Sequence, residues 1–395
     1  MTALRVLHVI PSLSQAHGGP SHAIWSLAHA AAKHGVAVQI FATNNNGGGP
    51  LVTTGEFDAL AQGTPVTLAS QSTSFYTTSF RAIGWLFRNV RKFDVVHTHA
   101  LFSFMPVLAG WVCRMLNVPY IVRPLGTLNA YGLRNRRPLL KRLSLALIER
   151  PLLRRAFAVH CTSAAEVSDV LAACPAAATT VIPLPIAPHE SGEAERASSL
   201  LGREADQVVL FLSRIDPKKN LEVLLEAFTI LSRVREKAVL VVAGDGDPTY
   251  IATLRAKAVS LGIASKVVWA GHVSGAEKRA TLGSATVFAL PSHTENFGVA
   301  AAEALAAGVP CVLSPGVAIA ERVAAAGAGC VAAADPVSTA AALAKYLDNP
   351  SVRAAASRCA IALAEDEFSA DVVGQRLASL YQRAANSRHN NRTAL

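Results

Sequence analysis

Two basic side chains follow a predicted strand in the second half of the chain, at a spacing that suits a phosphate. Arg214 and Lys219 lie five residues apart in the segment 213–220, where the strand ends and a helix begins. A guanidinium and an ammonium at a helix N-terminus match the charge of a diphosphate. A solvated basic turn would contain the same residues, so this segment alone leaves both interpretations open.

A glycine pair occupies the corresponding turn near the N-terminus. Gly18 and Gly19 lie between the first predicted strand and the first predicted helix. Glycines there let the backbone approach a phosphate, and the start of the helix offers unpaired N–H groups. A tight turn without a ligand would also use them. The fingerprint G-x-G-x-x-G is absent and no acid follows the second strand, which argues against a nicotinamide enzyme.

Two carboxylates, Glu295 and Glu303, flank the start of an apolar helix. Eight residues of helix would separate them by about 12 Å. That exceeds the roughly 5–9.5 Å between the two carboxyl groups of a glycoside hydrolase. They could instead hold two parts of one elongated ligand. Glu303 lies among alanines and a leucine, where an unpaired charge would be costly, and this favours a binding role.

Other residues resemble metal ligands only weakly. His97 and His99 share one face of a predicted strand, with His99 at its carboxyl end. Such histidines are usually core residues, and this pair has no evident further ligand nearby. Asp245 and Asp247 form a D-x-D, but aspartates are ordinary turn residues. We therefore predict no metal site.

The net charge of +10 is concentrated in the first half of the chain. Residues 1–190 contain 16 Lys and Arg against 7 Asp and Glu, whereas residues 191–395 contain 21 against 20. A basic surface can meet nucleic acid, anionic lipid or a phosphorylated substrate. Leucines at helical spacing accompany basic residues in the segment 133–155, which predicts an amphipathic helix with a cationic face. Its basic residues are Arg134, Arg136, Arg137, Lys141, Arg142, Arg150, Arg154 and Arg155.

That segment has three interpretations. It could lie on anionic lipid, or it could be an ordinary solvated basic face. Nucleic acid is disfavoured because the segment contains no Phe, Tyr or Trp on which bases could stack.

Apolar runs alternate with helical patterns over the whole chain of 395 residues, of which 51% are hydrophobic and 16% charged. This composition excludes a disordered chain. The pattern predicts an α/β fold with two doubly wound parallel sheets, and ligands in such sheets bind beyond the carboxyl ends of the strands. We place the first domain at 1–188, a proline-rich and polar linker at 189–205, and the second domain at 206–370.

Neither a spanning helix nor a disulfide framework is predicted. No apolar run reaches the roughly 18–20 residues that cross a bilayer. The first ten residues indicate a buried strand rather than a signal peptide. The six cysteines show no C-x-x-C pattern. We therefore expect the protein in the cytoplasm.

At these residues the sequence resembles the bacterial family-4 (GT4) retaining glycosyltransferases with the GT-B fold, of the exopolysaccharide and lipopolysaccharide biosynthesis type. The resemblance spans nearly the whole chain. Asn220 stands where the family usually has Gly, and the segment 123–126, Arg-Pro-Leu-Gly, replaces a more usual His-Gly. The motifs that carry the resemblance are the glycine turn at 18–19, the D-x-x-H-x-H strand ending at His99, Ser213 and Arg214 with Lys219, the Gly-Asp-Gly at 244–246, and the E-x7-E pair Glu295 and Glu303 after Pro291 and Ser292.

The resemblance implies two Rossmann-like domains that face each other across a cleft, and a C-terminal helix, 371–395, that crosses back to the first domain and ends in a frayed tail. It also implies transfer of a hexose from a UDP-, GDP- or ADP-sugar with retention, without a metal or other cofactor. Arg214, Lys219 and the amides of Gly18 and Gly19 would hold the diphosphate; Glu303 would bind the ribose; Glu295 with the amides of Phe297 and Gly298 would orient the sugar; and His99 would lie near the reacting carbon.

The acceptor expected from this resemblance is a glycan or a polyprenyl-linked sugar. Arg136, Arg137, Lys141 and Arg142 would then hold the enzyme on the anionic inner face of the membrane. Two alternatives remain open. A GT-B nucleotide-sugar 2-epimerase would share the cleft but need acid and base groups at the sugar. A basic nucleic-acid-binding protein would leave Glu295 and Glu303 unexplained.

Overall fold

The computed structural model describes residues 3–14, 19–46, 55–73, 75–129, 132–133, 138–189 and 207–393. The chain divides into two units, each with its own parallel sheet. The first unit comprises residues 1–185 together with 370–395, and the second comprises residues 186–369.

Apolar segments of the first unit form a seven-stranded sheet in which every neighbouring pair of strands is parallel. The order across the sheet is β3-β2-β1-β4-β5-β6-β7. Because both faces are covered, the central strands are buried along most of their length without polar alternation, although β4 carries His97, Thr98 and His99. The strands are β1 (Leu4–Ser12), β2 (Val36–Thr43), β3 (Val66–Ala69), β4 (Val95–His99), β5 (Tyr120–Arg123), β6 (Ala158–Cys161) and β7 (Thr179–Val181).

Helices connect these strands. Over the described residues the predicted basic helix is present from Pro138 onward, but it changes to a π turn at Leu145–Glu149. Pro151 lacks the N–H that would continue the α pattern, and the Arg150 amide bonds to the Leu145 carbonyl, five residues back. The helices are α1 (Gly19–Lys33), α2 (Gly55–Ala61), α3 (Phe80–Asn89), α4 (Phe104–Met115), α5 (Pro138–Ser144), α6 (Arg150–Arg155) and α7 (Ala164–Ala173), with short 3₁₀ turns at Phe75–Thr77 and Val90–Lys92.

The second unit contains a six-stranded parallel sheet of order β10-β9-β8-β11-β12-β13. Its strands are β8 (Gln207–Leu212), β9 (Ala238–Ala243), β10 (Val267–Gly271), β11 (Val287–Leu290), β12 (Cys311–Leu313) and β13 (Gly329–Val331). Its helices are α8 (Leu221–Ser232), α9 (Pro248–Ser260), α10 (Gly275–Gly283), α11 (Val299–Ala306), α12 (Ala320–Ala325), α13 (Pro336–Asp348) and α14 (Pro350–Leu363), with 3₁₀ turns at Pro217–Lys219 and Ala264–Lys266 and a π turn at Ala364–Phe368.

The last helix, α15 (Ala370–Thr393), returns to the first unit and packs against α1. The two helices approach closely at Gly374, where an added Cβ would lie 2.2 Å from the Ala30 carbonyl oxygen. Tyr381 of α15 is fully buried. The C-terminal helix therefore contributes to the core of the first unit.

The prediction of two doubly wound parallel sheets is confirmed. The alternating pattern does not reveal helices α2 and α10 or strand β13, because all three are short and carry little apolar periodicity. Within the described residues, none of the helices combines the length and hydropathy needed to span a bilayer.

Candidate donor site and a buried histidine cluster

The charged residues of the second unit that are predicted to bind a ligand lie where the strand order of its sheet reverses. The chain runs outward from β8 through β9 to β10, and then returns to form β11 on the other side of β8. Loops that follow β8 and β11 therefore diverge at the carboxyl edge of the sheet, which is the usual ligand position in open α/β folds. Arg214 and Lys219 follow β8, and Glu295 follows β11.

The loop after β8 is held by a capping aspartate and a left-handed residue. Asp216 accepts a hydrogen bond from the Lys218 amide, which starts the turn Pro217–Lys219. Asn220 follows with φ 56° and ψ 44° and opens helix α8. Asparagine tolerates this conformation better than most residues. It can therefore replace the family's usual glycine without changing the path of the backbone.

Neighbouring loops are joined to this one by backbone contacts. Gly244 and Gly246, after β9, approach so closely that an added Cβ would lie 1.9 Å from the carbonyl oxygens of Ser213 and Ile215. On the other side, the His293 amide bonds to the Lys218 carbonyl at 2.8 Å. The Gly-Asp-Gly segment is thus required for close packing of loops, and Asp247 serves as the N-cap of α9 by accepting from the Tyr250 amide.

Lys219 and Glu295 form a direct ion pair. The lysine side chain is 7% exposed and the carboxylate side chain 22%. Burial lowers the pKa of Lys219, while Glu295 opposes that shift, and the nearby charges of Lys218 and Arg214 add to it. Arg214 itself is exposed. Two predicted diphosphate ligands and one predicted sugar ligand therefore lie together at this edge.

Glu303 has a partner that the sequence did not suggest. Lys278 of α10 donates to its carboxylate at 2.7 Å, and both side chains are partly exposed. The argument that Glu303 would lack a counter-charge is therefore wrong. Only the spatial approach of α10 to α11 reveals the pair, because 25 residues separate the two side chains along the chain.

Only part of the segment between Glu295 and Glu303 is helical. Helix α11 begins at Val299, and Glu295 lies in the preceding loop, where its amide bonds to the Gly316 carbonyl at 2.8 Å. Gly298, with φ 97°, ends that loop. The expected separation of about 12 Å assumed that all eight residues are helical, and this assumption is wrong. Phe297 turns its side chain inward against Phe368.

The corresponding edge of the first unit lies between β1 and β4, where the order of its strands changes. Gly19 begins α1 there. Gly18 lies outside the described residues. His99 ends β4 and is completely buried, as is His97. The predicted contact of His99 with a sugar stays a prediction.

The expectation that the two strand histidines have no neighbouring ligands is wrong. His8 of β1 lies opposite His97 in the sheet, and His160 of β6 completes a buried group of four. One nitrogen from each of His8, His97 and His99 lies within 4.8 Å of the others. His8 and His99 bond to each other through one nitrogen each, and His8 and His97 each bond to the Tyr381 hydroxyl. The donor set therefore fits a hydrogen-bonded cluster, and we assign no metal to it.

Arg123 gives this cluster a positive neighbour. It ends β5 opposite His99 and is 2% exposed. Burial lowers its own pKa to about 10, with Glu166 acting in the opposite direction. Its Nε and Nη1 have no hydrogen-bond partner among the described residues. Sequence reasoning noted Arg123 only as a departure from the family pattern.

The predicted membrane residues divide into two groups. Arg136 and Arg137 lie outside the described residues. Arg142 is exposed on α5, whereas Lys141 is partly buried and donates to the Gly132 carbonyl at 2.6 Å. Leucines on the same segment point outward, with 55–77% of their surface exposed; these are Leu139, Leu140, Leu143 and Leu147.

Two family models match this chain in succession. Residues 18–185 match the glycosyl transferase 4-like domain, and residues 193–362 match glycosyl transferases group 1. These ranges together include most of the chain, which identifies a glycosyltransferase of the GT-B class. The chain belongs to family 4 of these proteins, and the resemblance inferred from its motifs is confirmed at the level of the family.

Individual relatives match parts of the sequence. The alpha-monoglucosyldiacylglycerol synthase of Streptococcus pneumoniae is 29% identical over 231 residues, 56% of this chain and 52% of that protein. A GDP-mannose-dependent monoacylated alpha-(1-6)-phosphatidylinositol monomannoside mannosyltransferase of Corynebacterium glutamicum is 30% identical over 182 residues, 44% of this chain and 47% of that protein. The chain spans about half or less of the length of the curated relatives it matches.

Solved structures share the fold of nearly the whole chain. Anabaena HepE in complex with UDP and glucose aligns with a TM-score of 0.77 and 16% identity, over 96% of this chain and all of that one. At this identity the likeness establishes the GT-B fold alone.

Proposed function

We propose that this protein is a retaining glycosyltransferase that moves a hexose from a UDP-, GDP- or ADP-sugar to a glycan or lipid-linked acceptor of a cell-surface polysaccharide, without a metal. The observation that carries the proposal is the arrangement at the carboxyl edge of the second sheet. There, Lys219 pairs with Glu295, Arg214 lies in the same loop as Lys219, and Glu303 follows on the next helix. Cationic groups and carboxylates side by side suit a ligand that has both phosphates and hydroxyl groups.

The proposed chemistry requires stabilisation of a departing nucleoside diphosphate. Arg214 and Lys219 supply positive charge there, and a preorganised charge at a developing anion is among the largest contributions to catalysis. Glu303 binds the ribose hydroxyls and Glu295 those of the hexose. Attack by the acceptor on the face that the diphosphate leaves gives retention without a protein nucleophile.

Two of the names reported above support a sugar nucleotide as donor, those of the Corynebacterium relative and of HepE. The Corynebacterium relative is described as GDP-mannose-dependent, the Streptococcus relative as a monoglucosyldiacylglycerol synthase, and HepE was solved with UDP and glucose. The first two names also contain a lipid. They support an acceptor at a membrane, but they do not distinguish between mannose and glucose for this chain.

A surface on the first unit supports membrane attachment. We define the α5 surface as the exposed leucines Leu139, Leu140, Leu143 and Leu147 with Arg142 beside them. Exposed leucines on a helix that also carries cations match an interfacial helix, which buries its apolar residues at the acyl boundary. Each Lys or Arg near an anionic surface adds about 1 kcal/mol.

A thermal-shift panel with UDP-, GDP- and ADP-sugars tests the donor. A ligand at 100 times its Kd stabilises the folded state by about 2.7 kcal/mol. The donor that shifts the melting temperature is then incubated with and without a lipid-linked acceptor, and the products are separated. Transfer only with acceptor supports the proposal. Conversion of the sugar without acceptor identifies an epimerase, and competition by nucleic acid for the same site contradicts both.

Vesicle sedimentation tests the α5 surface. Leu139, Leu140 and Leu143 changed to Gln should release the full-length protein from anionic vesicles, and so should the quadruple change of Arg136, Arg137, Lys141 and Arg142 to Glu. Val234 and Val259 of the second unit are also strongly exposed, and their change to Gln is the matched control. Equal binding of all three variants, or no binding by the wild type, would contradict membrane attachment through this surface.

A further inference from the structure

A continuous line of hydrogen bonds runs through the buried histidines of the first sheet, and it starts at a backbone carbonyl. The Ile182 carbonyl oxygen lies 2.7 Å from His160 Nε2. A carbonyl can only accept, so His160 carries its proton on Nε2. Burial, with the charge of Arg123, lowers the pKa of His160 to about 3. The ring is therefore neutral, and its Nδ1 is an acceptor.

The next two links follow from this direction. His97 Nε2 lies 3.3 Å from His160 Nδ1 and must donate to it. Burial and the neighbouring histidines hold the pKa of His97 well below its usual value, so this ring is also neutral. Its Nδ1 then accepts from the Tyr381 hydroxyl at 2.9 Å.

The last links reach the end of β4. Because the Tyr381 hydroxyl donates its hydrogen bond to His97, its oxygen accepts from His8 Nε2 at 3.0 Å. His8, whose pKa burial and Arg123 lower to about 3, accepts on Nδ1 from His99 Nε2 at 3.1 Å. The remaining nitrogen, His99 Nδ1, is buried and has no hydrogen-bond partner in the part of the chain that the structure describes.

We propose that His160, His97, Tyr381 and His8 are positioning residues that fix His99 as the tautomer with its proton on Nε2. The Nδ1 atom of His99 is then a permanent acceptor at the carboxyl end of β4. Reversal of any single link would place two donors or two acceptors against each other, so the Ile182 carbonyl determines the direction of the whole line. That this acceptor faces the donor sugar rests on the proposed function and on the role that the family resemblance implies for His99; the tautomer assignment itself does not.

The charged groups around the line favour this neutral state. Arg123 ends the neighbouring strand β5, and its charge opposes protonation of each histidine of the cluster. Glu166 does not bond to the rings, because its two carboxylate oxygens accept from the amides of Gly126 and Thr162. No carboxylate bonds to any ring of the line among the described residues, so nothing there stabilises an imidazolium.

Nitrogen-15 NMR of the 395-residue chain, labelled at its 12 histidines, tests the assignment without any substrate. Single His-to-Gln variants identify the signals. We expect His8, His97, His99 and His160 to be neutral with the proton on Nε2 between pH 5 and 8. A proton on Nδ1 of any of the four, or titration near the ordinary histidine pKa of about 6.5, overturns the proposal. So does a shift of these signals by one equivalent of Zn²⁺, because a metal would then occupy the same nitrogens.

Tyr381→Phe gives a second test, because it removes the hydroxyl in the middle of the line. His160 and His97 should keep the proton on Nε2, since the Ile182 carbonyl still anchors them. His8 and His99 should lose that anchor and populate both tautomers.

The matched control is Tyr120→Phe, which removes a buried hydroxyl of the same unit that donates to the Leu152 carbonyl at 2.8 Å. This variant should leave all four histidine patterns unchanged. Unchanged patterns in Tyr381→Phe would refute the directional line. Failure of the wild type to transfer a sugar would refute the proposed function and leave the tautomer result intact.

Discussion

Lys219 and Glu295 form an ion pair, and removing the carboxylate should destabilise the protein more than removing the lysine. Removing one partner of a buried pair typically costs about 3–5 kcal/mol, because the other charge stays buried alone. Glu295→Gln leaves Lys219, 7% exposed, without its counter-charge. Since the carboxylate site itself reaches solvent and the amide oxygen can still accept a hydrogen bond, we expect a loss of about 2–3 kcal/mol from the second unit.

Lys219→Met should cost less, about 1 kcal/mol, for two reasons. It removes the more deeply buried charge, whose burial already disfavours the charged form. The Glu295 carboxylate that remains is 22% exposed and keeps part of its hydration. The double variant should be close to Lys219→Met alone, because the two changes act on one interaction.

Native-state hydrogen exchange of strands β8 and β11 measures this difference within the second unit. A loss of about 2–3 kcal/mol accelerates exchange by about 30- to 150-fold, since each 1.4 kcal/mol is a factor of ten. Glu226→Gln is the control, because its pair with Lys257 has side chains 38% and 30% exposed and should contribute less than about 1 kcal/mol. Equal acceleration in Glu295→Gln, Lys219→Met and Glu226→Gln would refute the argument from burial.

Four further outcomes are expected. Glu149 is buried, and burial raises its pKa from 4.5 to about 7. The folded protein therefore keeps this proton to a higher pH than the unfolded protein does. In urea titrations, the free energy of unfolding of the wild type should fall by about 3 kcal/mol relative to that of Glu149→Gln as the pH rises through that window, and an equal pH dependence of the two proteins would contradict this. Gly246→Ala should lower the melting temperature of the second unit by several degrees, because its Cβ would lie 1.9 Å from the Ile215 carbonyl oxygen; an unchanged melting curve would exclude the close approach. Calorimetry with a free nucleoside diphosphate should show weaker binding for Glu303→Gln but not for Glu295→Gln, and equal losses would contradict their assignment to ribose and hexose. Turnover should survive EDTA, since positive side chains and helix amides replace a cation; activity that requires added Mg²⁺ or Mn²⁺ would overturn this.

The sheets could be predicted from the sequence because their signals are local. An uninterrupted apolar run such as Ala238–Ala243 can be recognised from a few neighbouring residues, and strand β9 has these bounds in the structure. The charged turn at Arg214 and Lys219 was also found from local spacing. The direct ion pair of Lys219 with Glu295 could not be found in this way, because it depends on the order of strands.

Contacts between distant residues account for most of what could not be predicted. Lys278 reaches Glu303 only because α10 and α11 are neighbours, and His8 reaches His97 only because β1 and β4 pair. Neither Lys278 nor His8 belongs to a short motif. A search for polar residues at equivalent depths of adjacent central strands would have found His8, since it lies between the apolar residues Leu7 and Val9 of β1.

The position of Tyr381 on the last helix has a consequence for how the protein is made. During synthesis the ribosome releases the seven strands of the first unit early, but the hydroxyl that joins His8 to His97 is added only after the entire second unit. The buried histidines of the nascent first unit must therefore remain without that hydroxyl while roughly 180 further residues are translated. This takes about 10–40 s at typical rates of synthesis. The first unit is therefore synthesised first but completed last. A ribosome that stalls within the second unit leaves a first unit that lacks Tyr381 and the C-terminal helix.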